Sequence, residues 1–358
     1  MHEVTQTTTW VFAGLLIAMV ASLAAEEKLH AKKSMITVLF AVVALLMAAA
    51  WGILPFGQLD LPNGHHVEMP VYIPAVDWGV ITIILGASLF VDVISRSGLF
   101  TWTAIRLTKL SGGDPFRLLC YYAVLTVVFS AVLNNVTAMI IVGSLTAVSL
   151  NRLGKADLML GFLLTEGMLT NVGGLLTLIS SVPNIIVGNL AGIPFMQFFY
   201  VAAPYTLVAS FATVAMAVGL FGIRPLEGEE QKATALELVA AFDENDAIES
   251  RAFFGISWLL LGAFIATIAA TSVLPYVSDL GMGFVAMAFA VIALIRYRND
   301  VDKSYAAFDW DLLFFFVYLF IVINVMEHAG VLDLVGQAIG GLIDLGEYAG
   351  AGGLLISS

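Results

Sequence analysis

Two clusters of small polar residues stand inside otherwise apolar sequence, and together they suit the binding of a small ion. The first is FSAVLNNVTAMII, in which Asn134 and Asn135 divide an apolar stretch running from about Leu118 to Leu150. The second is TEGMLTNVGGLLTLISSVPNIIVG, residues 165–188, where Asn171, Gly173, Gly174, Thr177, Ser180, Ser181, Pro183 and Asn184 interrupt what would otherwise be a continuous span. Glycine lets a backbone or a ligand approach closely, and proline removes a donor while freeing a carbonyl upstream. An unwound segment here would expose carbonyls to a cation and half-helix N-termini to an anion. The plainer reading of the same residues is small-residue helix packing.

Acids at membrane depth are the second kind of chemistry. Glu166 lies about ten residues into its span; an intramembrane acid is costly and usually marks an ion or proton path, which makes Glu166 the candidate for proton or cation coupling. A structural hydrogen bond to a neighbouring helix is the alternative. Asp92 sits four residues before Arg96 and suits a surface ion pair as well as it suits transport. Glu327, His328, His65 and His66 read as solvated ends and loop residues.

These residues need helices in lipid to position them. Hydrophobic residues make up 60% of the chain and charged residues 12%, where soluble proteins carry about 25% charged. Apolar runs at 9–25, 34–54, 77–95, 198–222, 253–272, 279–295 and 309–326 are each long enough to cross a hydrocarbon core of about 30 Å as a helix. No Lys or Arg precedes the first run and its basic cluster follows it, so it is expected to be a retained span rather than a cleaved leader. Polar sequence at membrane depth is tolerated only where protein or a water-filled cavity surrounds it. The arms on either side of Asn134 and Asn135 hold about 16 residues, or about 24 Å at 1.5 Å per residue, and both flanks are basic. The segment 118–150 is therefore expected to be a re-entrant hairpin from the cytoplasm with the asparagines at its tip; two short spans joined by an outside turn fit the charges equally well. The segment 157–187 is expected to be a broken helix.

Cytoplasmic loops retain Lys and Arg. Placing residues 26–33 inside and the N-terminus outside brings all 15 Lys and Arg residues to the cytoplasmic face. The segments VDWGVITIILGASLFVDVISRSGL (76–99) and FDWDLLFFFVYLFIVINVMEHAGV (308–331) align without a gap at an offset of 232, matching Asp77 with Asp309, Trp78 with Trp310 and Gly98 with Gly330. Under the charge assignment the two helices run in opposite directions, the signature of an inverted-topology repeat. Chance similarity between two hydrophobic helices is the competing explanation. The chain then divides into a first repeat at 1–225, an acidic cytoplasmic linker at 226–250 and a second repeat at 251–358. The linker is expected to be a solvated connector, with a short amphipathic helix around ALELVAAF, on the membrane or on a partner, as the alternative. Its acids hold much of the formal charge of -12, which therefore does not argue for nucleic acid. Cys120 is alone and has no disulfide partner.

The two clusters, in this order and about 35 residues apart, resemble the ion transporter superfamily, above all the bacterial permeases similar to the melanosomal P protein and to arsenite permeases, with dicarboxylate symporters as distant relatives. LNNVTAMII stands for that family's hairpin tip and TNVGGLLTLISSVPNIIVG for its glycine pair, threonine and Pro-Asn. The resemblance implies ion or substrate binding by Ser130, Asn134, Asn135, Thr137, Asn171, Gly173, Gly174, Thr177, Pro183 and Asn184, with Na⁺ held at Asn135 and Gly173. The family's usual Thr-Ala-Thr and Gly-Asp-Pro-Pro-Asn are replaced here by Leu175, Leu176, Thr177 and by Ser180, Ser181, Val182, Pro183, Asn184, which leaves ion identity and stoichiometry open.

The expectation is an all-α integral membrane protein of the cell (inner) membrane, a secondary active transporter of an inorganic anion, a dicarboxylate or Na⁺ for H⁺. Na⁺ or H⁺ would be the coupling ion and no further cofactor is expected. Its partners would be the lipid bilayer, the small ionic substrate and, as an open option, a second copy in a homodimer. An intramembrane enzyme lacks support: there is no His-Glu-x-x-His, no His within a span and no well-placed pair of acids. An uncoupled channel-like scaffold would keep the same helices. At the offset of 232 the counterparts of Asn135 and Asn184 fall near positions 367 and 416, past Ser358, so the second repeat is expected to be incomplete and residues 1–358 alone are expected not to couple transport.

Overall fold

In lipid an apolar chain satisfies its backbone by forming helices, and the computed structural model is helical nearly throughout the residues it describes, 5–54, 59–60, 66–67, 69–133, 135–298 and 301–343. In chain order the helices are α1 (Gln6–Ala24), α2 (Glu26–Leu29), α3 (Lys33–Trp51), α4 (Trp78–Ser95), α5 (Leu99–Leu110), α6 (Pro115–Ser130), α7 (Asn135–Arg152), α8 (Met159–Gly173) and α9 (Val182–Leu190), followed by α10 (Phe195–Phe221), α11 (Glu229–Ala240), α12 (Arg251–Ala270), α13 (Val277–Arg296), α14 (Val301–Ala307), α15 (Trp310–His328) and α16 (Val331–Ile343). An antiparallel pair of two-residue strands, β1 (Leu59–Asp60) and β2 (His66–Val67), adds a minor β element that the all-α expectation did not contain. Among the described residues seven helices, α1, α3, α4, α10, α12, α13 and α15, are long and apolar enough to cross a membrane. Each coincides with one of the seven apolar runs.

Helix ends follow local chemistry. Thr5, Asp114, Ser250 and Asp309 accept hydrogen bonds at the starts of α1, α6, α12 and α15, satisfying backbone donors that a helix cannot. Asp77 does the same for α4, taking the Val80 N–H at 3.1 Å, as Asp309 takes the Leu312 N–H at 3.0 Å. The two aligned segments also end alike. Gly98 at φ 79° and Gly330 at φ 72° close α4 and α15 in the left-handed conformation that favours glycine, and a further helix, α5 or α16, starts at the next residue.

The helices gather into two compact units, residues 1–81 with 309–358, and residues 82–308. In the first unit α15 packs along α3, with α1 beside both, and Ser34 donates its hydroxyl to Asp311 at 2.5 Å. In the second unit α4 lies against α12 and α13. Phe90 of α4 meets Phe264 and Phe289 at centroid distances of 4.7 and 5.8 Å, and a Cβ on Gly86 would fall 2.5 Å from the Ala286 backbone. Small residues permit such close helix crossings in membranes. Each unit therefore combines helices distant in sequence: α15 and α16 join α1 and α3 in the first, and α12 and α13 join α4 in the second.

The linker forms a helix, α11, over the first part of ALELVAAF; it is mostly exposed, and a few of its residues dock on the same chain, so that 226–249 forms a strap. Ala235 and Val239 of α11 are buried, and Val239 and Phe242 form an apolar cluster with Ile105, Leu145 and Leu153. Asp114 accepts the Leu226 N–H at 2.7 Å, Glu244 takes Lys109 at 2.6 Å and Arg106 at 3.1 Å, and the Arg152 guanidinium lies 4.3 Å from the Phe242 ring centre. Gly98 has no room for a side chain, since its Cβ would fall 1.7 Å from the Ala247 carbonyl oxygen. The strap therefore pins the basic ends of α5, α6 and α7.

Candidate functional site

The apolar stretch 118–150 folds as a helix–turn–helix. Asp114 caps α6 and Pro115 occupies its first turn, where proline's missing N–H costs nothing. The helix ends at Ser130, and α7 starts at Asn135. Asn134 lies outside the described residues. Both α6 and α7 pack on α8. The second segment breaks as its composition suggests: α8 ends at Gly173, residues 174–181 are non-helical, and α9 starts at Val182 with Pro183 in its first turn.

The turn and the break touch. Thr177 donates its hydroxyl to the Ala131 carbonyl at 2.6 Å. Ser130, at the last residue of α6, donates to Asn135 Oδ1 at 2.7 Å and to the Thr170 carbonyl, and Asn135 Nδ2 donates to Asn171 Oδ1 at 3.2 Å. Gly173 allows the crossing, because a Cβ there would fall 2.7 Å from the Val127 carbonyl oxygen and 3.0 Å from Ser130 Cβ. Gly174 leaves room for Asn135, whose Oδ1 would lie 2.8 Å from a Cβ at that position. Beyond it, Asn184 Nδ2 donates to the carbonyls of Gly174 and Thr177, both at 2.9 Å, and Ser180 donates to the same two at 2.6 and 2.8 Å.

Ser130, Asn135, Asn171, Gly173, Gly174, Thr177 and Asn184 therefore meet in one place. Thr137 is half-buried in the first turn of α7, and Pro183 is exposed in the first turn of α9. Asn184 also has a bracing role: its amide nitrogen donates to the carbonyls of the break. The sequence reading missed the Thr170 carbonyl, and it named Ser180 in the second cluster without giving it a role. Thr170 contributes backbone, which no residue type advertises; its position one turn before the glycine pair is the signal that could have found it.

Four helix ends converge at this crossing: the C-termini of α6 and α8, and the N-termini of α7 and α9. Helix C-termini carry partial negative charge and N-termini partial positive charge. Neutral oxygens of Ser130, Asn135 and Asn171, beside the backbone carbonyls of Thr170 and Gly174 at the end of α8, match the donors preferred by a hard monovalent cation. The N-termini of α7 and α9 suit an anion.

Glu166 is not part of this cluster. It lies one turn before Thr170 on α8, fully buried, and accepts the Thr146 hydroxyl of α7 on Oε1 at 2.5 Å; its Oε2 has no hydrogen-bond partner among the described residues. Asp92 pairs with Arg96 at 2.9 Å.

The chain is 28% identical over 298 residues to an uncharacterized transporter of Mycobacterium tuberculosis, covering 83% of this chain and 65% of that protein. It is 27% identical over 267 residues to a 46 kDa membrane protein of Mycobacterium leprae, covering 74% of this chain and 59% of the relative. It is 23% identical over 311 residues to an arsenical pump membrane protein of Escherichia coli, covering 85% and 70% respectively. The chain thus spans about 65% or less of the two mycobacterial relatives. The citrate transporter family model matches residues 7–358. With seven helices among its described residues able to span a bilayer and a broken helix crossed by a helical hairpin, this chain belongs to the citrate transporter family of multi-pass membrane transporters.

Proposed function

We propose that the full-length protein is a secondary active transporter of a small anion, coupled to Na⁺ or H⁺ by alternating access, rather than an enzyme or an uncoupled channel. The observation that carries this reading is the meeting of four helix ends around Ser130, Asn135, Asn171 and the carbonyls of the break. One such site offers oxygens to a cation and N-termini to an anion, which links their occupancy. A carboxylate-bearing substrate is supported by the family's name and an arsenical one by the Escherichia coli relative. Na⁺ would sit between Asn135 and the end of α8 at Gly173, and Glu166 would serve a proton-coupled step. The reading places the protein in the cell membrane with its N-terminus outside and its repeats inverted.

Proteoliposomes holding the full-length protein test it. Uptake of citrate or of arsenite is expected to rise when an inward Na⁺ or H⁺ gradient is imposed, and to fall when that gradient is collapsed. Flux that ignores both gradients would identify a channel.

A further inference from the structure

We propose that the strap 226–249 is a clasp that closes a pivot at the start of α5, about which the helices carrying the crossing turn against α4, α12 and α13. Its use in transport rests on the reading of the crossing as the transport site; the pivot itself does not. Within residues 82–308, α5–α10 and the strap form one connected group: α6, α7 and α10 pack on α8, α5 packs on α6 and α7, and the strap lies on α5 and α7. Against α4 stand α12 and α13, joined to it through Phe90, Phe264 and Phe289 at centroid distances of 4.7 to 5.8 Å. Two chain links connect the groups: residues 96–98, from α4 into α5, and residues 248–250, from the strap into α12.

Both links pass through one point. Gly98, at φ 79°, faces Ala247, whose carbonyl oxygen occupies the place of a Cβ. A glycine in that conformation lets two backbones touch. The same device recurs at the far end of α5, where Gly113, at φ 74°, has both the Cβ and the carbonyl oxygen of Ala235 2.8 Å from the place of a Cβ. The strap thus meets both ends of α5 across glycines, and its docked position is built into the turns that receive it. Close to the pivot Glu244 holds Lys109 and Arg106, and Trp102 of α5 meets Phe254 of α12 at 5.5 Å. Ser250, three residues past Ala247, caps α12.

Tether length gives the clasp its effect. From Ala247 to Arg251 the chain reaches at most about 14 Å, whereas from Phe221 to Arg251 it would reach about 100 Å when extended. With the strap docked, the α5–α10 group is therefore held to α12 at the same spot where it joins α4, and rotation about that spot stretches neither link. With the strap released, one of the two attachments goes slack, and the group is free to tilt and slide as well as turn. Docking is reversible by construction: α11 has 12 residues, no side-chain cap at its start and a mostly exposed surface, and helices that short are marginal without tertiary contacts. Hinges made of a few residues at element ends are a common route of domain movement.

Pulsed electron paramagnetic resonance on the full-length protein tests the pivot. Spin labels at Ala156→Cys and Arg296→Cys, one in each group and both at exposed positions, in a Cys120→Ala background, read the distance between the groups. The double variant Phe242→Ala, Glu244→Gln is expected to widen the distance distribution at least about twofold, as opening of a docked segment does. Should that variant fail to fold, Glu244→Gln alone carries the same expectation. An unchanged width overturns the pivot. Uptake then shows whether the clasp stays shut in use. Lys109→Cys and Glu244→Cys, joined by a bifunctional methanethiosulfonate, are expected to leave gradient-driven uptake within about twofold of the unlinked protein, because turning about the hinge needs no opening of the strap. Uptake that the link stops and a reducing agent restores would make the strap a brake and overturn the pivot. If the unlinked protein shows no gradient-driven uptake, the transporter reading fails while the distance measurement still decides the pivot.

Discussion

At Gly173 the α6–α8 crossing has no space for a methyl group, because the atoms it would meet are the backbone of Val127 and the Cβ of Ser130. Gly173→Ala is therefore expected to push the helices apart at a cost of about 1–3 kcal/mol, the usual range for overpacking, read as a lowered unfolding midpoint of the purified protein. Substitution at Gly167, where nothing lies within 4 Å of an added Cβ, is expected to leave the midpoint nearly unchanged and serves as the control. An equal loss at both positions would remove the packing argument. Ser130, Asn135 and the glycine pair were legible in the sequence because polar and flexible residues at membrane depth have few other reasons to be there. Thr170 was not, since it acts through its carbonyl, and the bracing of the break by the Asn184 amide was not either. Tyr122 reads as an ordinary aromatic until the fold brings Thr108 and Ser149 to its hydroxyl.

Among the elements, the strap 226–249 shows how a segment with no strong pattern acquires structure from its surroundings. Alone it reads as acidic and solvated; of its apolar residues, Val239 and Phe242 become a docking face only beside Ile105, Leu145 and Leu153. Phe242→Ala is expected to loosen it by about 3 kcal/mol, the cost of truncating a buried aromatic, and faster trypsin cleavage at Lys232 would report the loosening. Unchanged cleavage would mean that the polar ties alone hold the strap. Those ties carry a pH signature. Lys109, with Arg106, holds the Glu244 carboxyl down to about 2 from its usual 4.5. Because the folded value lies below the unfolded one, this contribution is complete above about pH 4.5 and is lost as pH falls toward 2. Trypsin does not work there, so labelling of Val239→Cys in a Cys120→Ala background with a pyridyl disulfide, which protonation of its pyridine keeps reactive in acid, is the measurement. Protection is expected down to about pH 3, and Glu244→Gln is expected to weaken it at neutral pH. The spans, by contrast, were fully legible: all seven apolar runs became helices, since lipid leaves the backbone no alternative.

On the scale of the whole molecule, the aligned segments share local geometry: Asp77 and Asp309 each cap a helix, and Gly98 and Gly330 each follow one in the left-handed conformation. The packing of α15 on α3 and of α4 on α13 was not legible in the sequence, because which helix packs on which depends on close contacts such as that of Gly86 with Ala286 rather than on hydropathy. Inversion makes a separate claim, argued from charge. Single cysteines at Asn63 and Glu229, in a Cys120→Ala background, are expected to label from opposite faces of the membrane with an impermeant reagent; labelling from one face would end the inverted reading. The central claim is that the crossing of the hairpin with the broken helix binds the coupling ion. Its most direct test is the coupling-ion dependence of uptake by the full-length Asn135→Ala variant in proteoliposomes. The half-saturating ion concentration is expected to rise at least about tenfold, corresponding to about 1.4 kcal/mol of lost binding, or coupling is expected to vanish, in a protein that remains folded. Uptake with the parent's ion dependence would contradict the account and place the site elsewhere.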